Sequence, residues 1–257
     1  MFESSVQLST LLCGPAVPFT RAGSRSAIAK TPVGIPRQVR ANGIEGDEQG
    51  DLSVHGGVEK AVHHYAFDHY PAWRDQVNCK VLETPGAFGE NFSTLGWSEK
   101  DVNLGDIVEV GTCVLQISQP RQPCWKLNDR FGDPRIATIV LSTGRTGWYY
   151  RVLREGWVEP GNLMRIVERP FPDWSIRQLG ELLFNQAADR GLLDVREGAL
   201  IAGGAGKGGQ VSSSLRARRS ARRSARRRPR RTAAPADWRE GQRHGQVLQR
   251  DEGLRLH

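Results

Sequence analysis

Cys124 lies in SQPRQPCWKLN, Ser118–Asn128, with Pro120, Arg121 and Pro123 before it and Trp125 and Lys126 after it. The two prolines stiffen the backbone and remove two amide donors, which suits a loop better than a strand interior. Arg121 and Lys126 bring positive charge, and positive charge beside a thiol favours the thiolate. Thiolate is the form that ligates a soft metal or attacks an electrophile. No general base adjoins Cys124 in the sequence. The residues alone therefore leave two readings open, a functional thiol and a buried structural one.

Three other segments carry polar side chains on glycine-punctuated backbone. GIEGDEQGDLSVHGGVEKAVHHY holds Glu45, Asp47, His55, His63 and His64; GAFGENFST holds Glu90 and Asn91; STGRTGWYY holds Thr143, Arg145 and Trp148. Polar groups on loops between strands are how a barrel builds a binding cleft, and glycine lets backbone N–H groups come close to a phosphate. None of the loops matches a P-loop or a dinucleotide fingerprint. Four of the six histidines fall within fifteen residues, yet no HExxH or HxH spacing is present. Adjacent His63 and His64 would point to opposite faces of a strand, so packed or hydrogen-bonded histidines are the default over a His-based metal site. Cys13 and Cys113 sit among apolar neighbours and read as core residues.

The elements that must position these groups are mainly β with peripheral helices. In NLGDIVEVGTCVLQISQ, Ile107, Val108 and Val110 run into a Gly111-Thr112 turn, followed by Val114, Leu115 and Ile117. Branched residues alternating around such a turn predict a hairpin. GNLMRIVERP predicts another strand, closed by Pro170. AFDHYPAWRDQV predicts a short helix with Phe67, Tyr70, Trp73 and Val77 on one face, and GDPRIATIVLSTGRTG a second that stops at Gly144. Residues 1–170 thus read as a β-rich barrel or sandwich domain. Residues 171–200 open a small helical unit, with Ser175 as N-cap and Ile176, Leu179, Leu182 and Leu183 at helical spacing.

Residues 201–257 differ in kind. They hold fifteen Lys/Arg and four Asp/Glu, a net of +11, leaving the first 200 residues at −3 out of the chain's +8. Ten arginines fall between Arg216 and Arg231 without any apolar period, so this stretch is expected to be disordered. Apolar runs are too short for a membrane span, and the N-terminus lacks the basic n-region and apolar run of an export signal. Four scattered cysteines without a CxxC pair suit a reducing cytoplasm rather than a disulfide framework.

Taken in order, GIEGDEQGD…VHGGVEKAVHHY, GAFGENFST, GDIVEVGTCVLQISQPRQPCWKL and TGRTGWYYRVLREG resemble the MOSC family, the molybdenum cofactor sulfurase C-terminal domain. The likeness runs from about Ala27 to Val195 and is greatest for the stand-alone bacterial branch with an appended three-helix domain. The resemblance implies a β-barrel whose positively charged cleft binds the pterin-based molybdenum cofactor (molybdopterin). It makes Cys124 the molybdenum ligand or sulfur carrier, and places His55, Gly56, Gly57, Asn91 and Arg121 along the cofactor cleft. It implies reduction of N-hydroxylated compounds, including N-hydroxylated purine analogues, with electrons from a partner redox protein. The alternative within the family is a sulfur carrier holding a persulfide on Cys124. Near Gly198 the chain departs from the family, and the Arg/Gly text reads as a shifted frame of a GC-rich gene. The rival reading of that stretch is a tail that binds nucleic acid.

Overall fold

The computed structural model describes residues 5–184; the tail of 201–257, and the part of the small helical unit beyond residue 184, lie outside the described residues. Thirteen strands occur among the described residues: β1 Ser5–Cys13, β2 Val17–Pro18, β3 Arg25–Ser26, β4 Thr31–Pro32, β5 Arg37–Arg40, β6 Gly43–Ile44, β7 Val62–Ala66, β8 Phe92–Thr94, β9 Ile107–Val110, β10 Cys113–Pro120, β11 Trp148–Arg154, β12 Gly156–Val158 and β13 Leu163–Glu168. Among the described residues the α-helices are α1 Leu52–His55, α2 Tyr70–Gln76, α3 Trp125–Phe131, α4 Ile136–Thr143 and α5 Ile176–Phe184.

Seven of the strands close on themselves in the order β13-β9-β10-β11-β7-β8-β1, with β1 returning to β13. Every neighbour is antiparallel except β7 with β8. Closure removes the free edges that an open sheet of this length would expose. The expected barrel is therefore present. Its interior is filled by side chains that alternate inward, among them Val6 and Leu8, Val108 and Val110, Leu115 and Ile117, and Trp148 and Tyr150.

The hairpin around Gly111 and Thr112 joins β9 and β10 as the alternation predicts, pairing Cys113 with Val110 and Leu115 with Val108. α4 ends where Gly144 takes a left-handed conformation (φ 63°). Ser175 and Gln178 form a capping box at α5: the Gln178 N–H donates to Ser175 Oγ at 3.2 Å, and the Ser175 N–H donates to Gln178 Oε1 at 3.0 Å. Ile176 of α5 is fully buried with the barrel core, so the start of this helix packs as part of the barrel. The sequence reading did not single out α3, a seven-residue helix with little apolar period.

A second apolar cluster lies outside the barrel. Tyr65 of β7, Tyr70 and Trp73 of α2, Phe88, Leu127 and Phe131 of α3, and Ile136 and Val140 of α4 meet there. Tyr65 and Phe88 stack with ring centroids 4.0 Å apart. This cluster holds α3 against the barrel wall. A residue at the start of α3 consequently has a fixed address.

Candidate functional site

The start of α3 is Cys124, whose extended backbone (φ −134°, ψ 174°) marks the turn from loop into helix. Behind it, the Arg121 N–H donates to the Gly147 carbonyl at 3.0 Å, tying the PRQPC loop to the head of β11. The other end of α3 is anchored by Leu127 and Phe131. The thiol is half-buried and opens on a cleft of about 570 Å³ that includes open solvent. The cleft is walled by β7, β11, α1, α3 and the loops around residues 26–30, 47–50 and 88–91.

α1 carries His55 to this point. His55 Nε2 lies 3.6 Å from Cys124 Sγ, although the two residues are 69 positions apart. Burial pushes the His55 imidazole down to about 4, and the nearby Lys126, Arg121 and Lys60 charges push the same way. His55 is thus a neutral ring beside the thiol, able to accept a hydrogen bond from it or to donate one to a sulfur anion according to tautomer.

Arg121 and Lys126 are both about 95% buried and both line the cleft. Lys126 Nζ donates to the Arg25 carbonyl at 2.8 Å, while Arg121 Nη1 is buried without a hydrogen-bond partner. An unsatisfied guanidinium nitrogen costs free energy unless something arrives to accept from it. Tyr149, on β11, also lines the cleft; burial pushes its phenol up, and the nearby Arg121 charge opposes that push.

The opposite wall is a hydrogen-bonded clasp. Lys30 pairs with Asp47 Oδ1, which also accepts from the Gly14 N–H at 2.9 Å. Asp47 Oδ2 accepts from Asn91 Nδ2 at 2.8 Å. Asn91 Oδ1 accepts from the His63 N–H at 3.0 Å, and Asn91 Nδ2 reaches the Leu12 carbonyl at 3.2 Å. Asn91 lines the cleft, but its amide is spent on holding β1, β7 and Asp47 together.

Of the residues expected at the site, the structure brings His55, Asn91, Arg121 and Cys124 to the cleft, while Gly56 and Gly57 follow α1 outside its lining. Gly57 sits at φ 95° and relieves the turn after His55. His63 and His64 do face opposite ways. His63 lines the cleft, with its ring 5.1 Å from that of Tyr149. His64 points into the barrel, stacked at 4.2 Å on Trp148 and hydrogen-bonded to Tyr150 Oη and Thr94 Oγ1 at 3.0 and 2.8 Å. Glu90, Thr143 and Trp148 are engaged away from the cleft: Glu90 under the 86–88 turn, Thr143 on the Ile139 carbonyl and Trp148 in the core. Sequence reasoning missed Tyr149, Lys30 and Ser26. Only the alternation in β11, which puts Tyr149 opposite the core residues Trp148 and Tyr150, could have flagged the first.

Cys13 and Cys113 are buried, and burial raises both thiols to about 11. Neither is poised to react. Among the described residues no group of three His, Cys, Asp or Glu side chains could hold a metal ion by itself, and no helix is long and apolar enough to cross a membrane.

Gly147 holds the two sides of the site in register. Its φ is 70°, and a Cβ there would lie 2.5 Å from the His64 carbonyl oxygen and 2.9 Å from His63 Nε2. Gly147→Ala is expected to cost at least ~1–2 kcal/mol from the left-handed backbone alone. A lowered urea midpoint together with a changed environment at His63, seen as shifted imidazole resonances, would show both effects; unchanged values would remove Gly147 from this role.

The buried histidines also set a pH dependence. Burial pushes His64 down to about 3, so the unfolded chain, titrating near the ordinary 6.5, binds a proton that the folded chain refuses. Stability is therefore complete above about pH 6.5 and falls as the pH drops towards 3. His55 adds to the loss in the same direction, down to about 4. The melting temperature is expected to decline steadily from pH 6.5 to 4, and His64→Gln should flatten that slope even if it lowers the starting value. An equal slope in the variant would rule His64 out as a source.

A profile of the MOSC domain matches residues 51–165 of the chain. A protein named Reductase from Gibberella moniliformis is 44% identical over 153 residues, 59% of this chain and 27% of that protein. Protein YiiM of Escherichia coli is 42% identical over 148 residues, 57% of this chain and 66% of YiiM. The chain thus spans about a quarter of the first relative and just under two thirds of the second. The crystal structure of YiiM from Geobacillus stearothermophilus superposes with a TM-score of 0.60 at 31% identity, covering 76% of this chain and 99% of that one.

Proposed function

The chain belongs to the MOSC domain family, and from the residues of its cleft we propose that it is a molybdenum-cofactor-dependent oxidoreductase that reduces small N-hydroxylated compounds. The observation that carries this reading is the meeting of Cys124, His55, Arg121 and Lys126 in one cleft. The reductase name of one relative agrees with it.

The residues present fit an anionic pterin cofactor. Lys30, Lys60, Arg121 and Lys126 line the cleft against Asp47 and Glu48, and the unpartnered Arg121 Nη1 is a donor waiting for an anionic oxygen. Arg121 and Lys126 would hold the anionic part, and Cys124 would supply a thiolate to the metal. When bound, the cofactor supplies the two-electron chemistry. His55 stays neutral: as the Cys124 proton leaves to solvent, the Nε2–H tautomer of its ring donates a hydrogen bond to the sulfur. Lys30, Lys60, Arg121 and Lys126 would balance the negative charge of the anionic cofactor. The Lys30–Asp47–Asn91 clasp keeps the facing wall rigid, so the cleft need not reorganise on binding. Electrons would come from a partner redox protein, in a compartment that keeps the four cysteines reduced.

Protein purified from a host that makes the cofactor tests the reading. Stoichiometric molybdenum with pterin fluorescence and turnover of an N-hydroxylated purine analogue are expected. Cyanide-labile sulfur on Cys124 without molybdenum would overturn it in favour of a sulfur carrier. Arg121→Ala is expected to weaken cofactor retention by ~1.5–3 kcal/mol, as for a lost charged hydrogen bond, and lysine should restore only part because it lacks the fork. Molybdenum occupancy equal to the parent's would take Arg121 out of the site.

A further inference from the structure

The β2–β3 hairpin stands apart from the barrel. Its two strands pair only with each other, Val17 with Ser26 and Pro18 with Arg25. Its root lines the cleft, since Ser26, Ala27 and Ile28 follow directly from β3. The Arg25 carbonyl there accepts from Lys126 Nζ, two residues past Cys124. Its tip crosses onto α3. The Phe19 ring lies 5.9 Å from that of Trp125, and the Arg21 guanidinium sits 3.9 Å over the Trp125 ring. Thr20 Oγ1 hydrogen-bonds to Asp129 Oδ2, and Arg21 Nε lies 3.5 Å from the same oxygen.

We infer that this hairpin is a strap across α3 that sets access to Cys124, with Asp129 as its latch. Both ends of the hairpin touch the helix that begins at Cys124: the root at Lys126, the tip at Trp125 and Asp129. The tip is held by Phe19, half-buried at the margin of the second apolar cluster, and by polar contacts at the surface; Arg21 itself is 57% exposed. The exposed Thr20 and Arg21 contacts with Asp129 hold the tip by little, and one half-buried ring is far less than the buried cluster beneath α3, so the tip opens locally without unfolding the domain. By contrast α3 is anchored from below by Leu127 and Phe131 in a buried cluster. The two parts therefore separate at the hairpin–helix contact rather than at the helix–barrel contact. Lifting the tip off α3 frees the Ser26–Ala27 edge of the cleft, which follows directly from β3, and widens the way to the sulfur for a reagent or substrate too large for the closed form.

Thiol trapping of the full-length protein with a bulky maleimide, mapped by mass spectrometry, tests this without any bound cofactor or turnover. Cys79, half-buried against the second apolar cluster, reports any loosening of that cluster, and the buried Cys13 and Cys113 report global opening. Two variants break the latch from opposite sides: Asp129→Ala on α3, and Thr20→Val with Arg21→Ala on the hairpin tip. Each is expected to raise the Cys124 trapping rate about tenfold, the scale of one lost charged hydrogen bond, with Cys79 unchanged. An unchanged Cys124 rate in both variants overturns the strap. So does a rise in Asp129→Ala alone, which would place the effect inside α3, or a parallel rise at Cys13 and Cys113, which would mean general loosening.

Discussion

Cys124→Ser is expected to abolish turnover of an N-hydroxylated substrate while melting at nearly the parent's temperature. The side chain is half-buried, caps no helix amide and makes a polar contact with His55 at 3.6 Å. Serine therefore leaves no buried group orphaned, but its hydroxyl does not ionise near neutral pH and is a hard, poor ligand for molybdenum. Cys113→Ser supplies the contrast. That thiol is fully buried in the barrel core, and a hydroxyl in its place should cost ~1–3 kcal/mol with turnover per folded molecule unchanged. Activity assayed beside thermal melts separates the two cysteines. Full turnover in Cys124→Ser with molybdenum bound would end the assignment of this thiol.

The second large effect is structural. Glu90 is fully buried, and its carboxylate accepts from Tyr70 Oη, from the Gly86 N–H at 2.7 Å and from the Phe88 N–H at 3.0 Å. Arg130 stands close by, donating to the Gly86 and Ala87 carbonyls at 3.0 and 2.9 Å, with the Glu90 charge supporting its own. Glu90→Ala removes three charge-assisted bonds at once and strips Arg130 of a buried countercharge. The expected loss is ~3–4 kcal/mol, read as a lowered denaturant midpoint at constant slope. Glu90→Gln should recover part of it, because the amide oxygen still accepts. Because Asn91 follows directly, the clasp on Asp47 should loosen as well. A midpoint within about 0.5 kcal/mol of the parent, the range of an ordinary surface change, would contradict this account.

Glu90 illustrates why some polar residues mislead when read along the chain. Glu90 and Asn91 are adjacent on one glycine-rich loop and both look like cleft groups. Which of them faces the ligand depends on where the second apolar cluster forms, and Tyr70, Phe88 and Arg130 draw Glu90 beneath the turn. The same holds for Asp47, whose partners Gly14, Lys30 and Asn91 come from separate parts of the sequence. A local spacing rule cannot weigh such partners.

What the sequence by itself determined is the set of elements and the faces of their side chains. Alternation around Gly111 and Thr112 specifies the β9–β10 hairpin because a period of two puts Val108, Val110, Leu115 and Ile117 on one buried face. Adjacency in a strand was enough to send His63 and His64 to opposite sides, and Gly144 was enough to stop α4. The four ordered motifs identify the family. Only the tertiary structure decided that the barrel closes through β1 and β13, that α3 exists and rests on Leu127 and Phe131, and that His55 meets Cys124 across 69 residues. It alone added Tyr149 and Lys30 to the cleft and laid the β2–β3 hairpin over α3. The reason is physical. Periodicity and turn chemistry act over a few residues, whereas the convergence of loops on one cleft is set by barrel closure and by apolar side chains from distant segments burying one another.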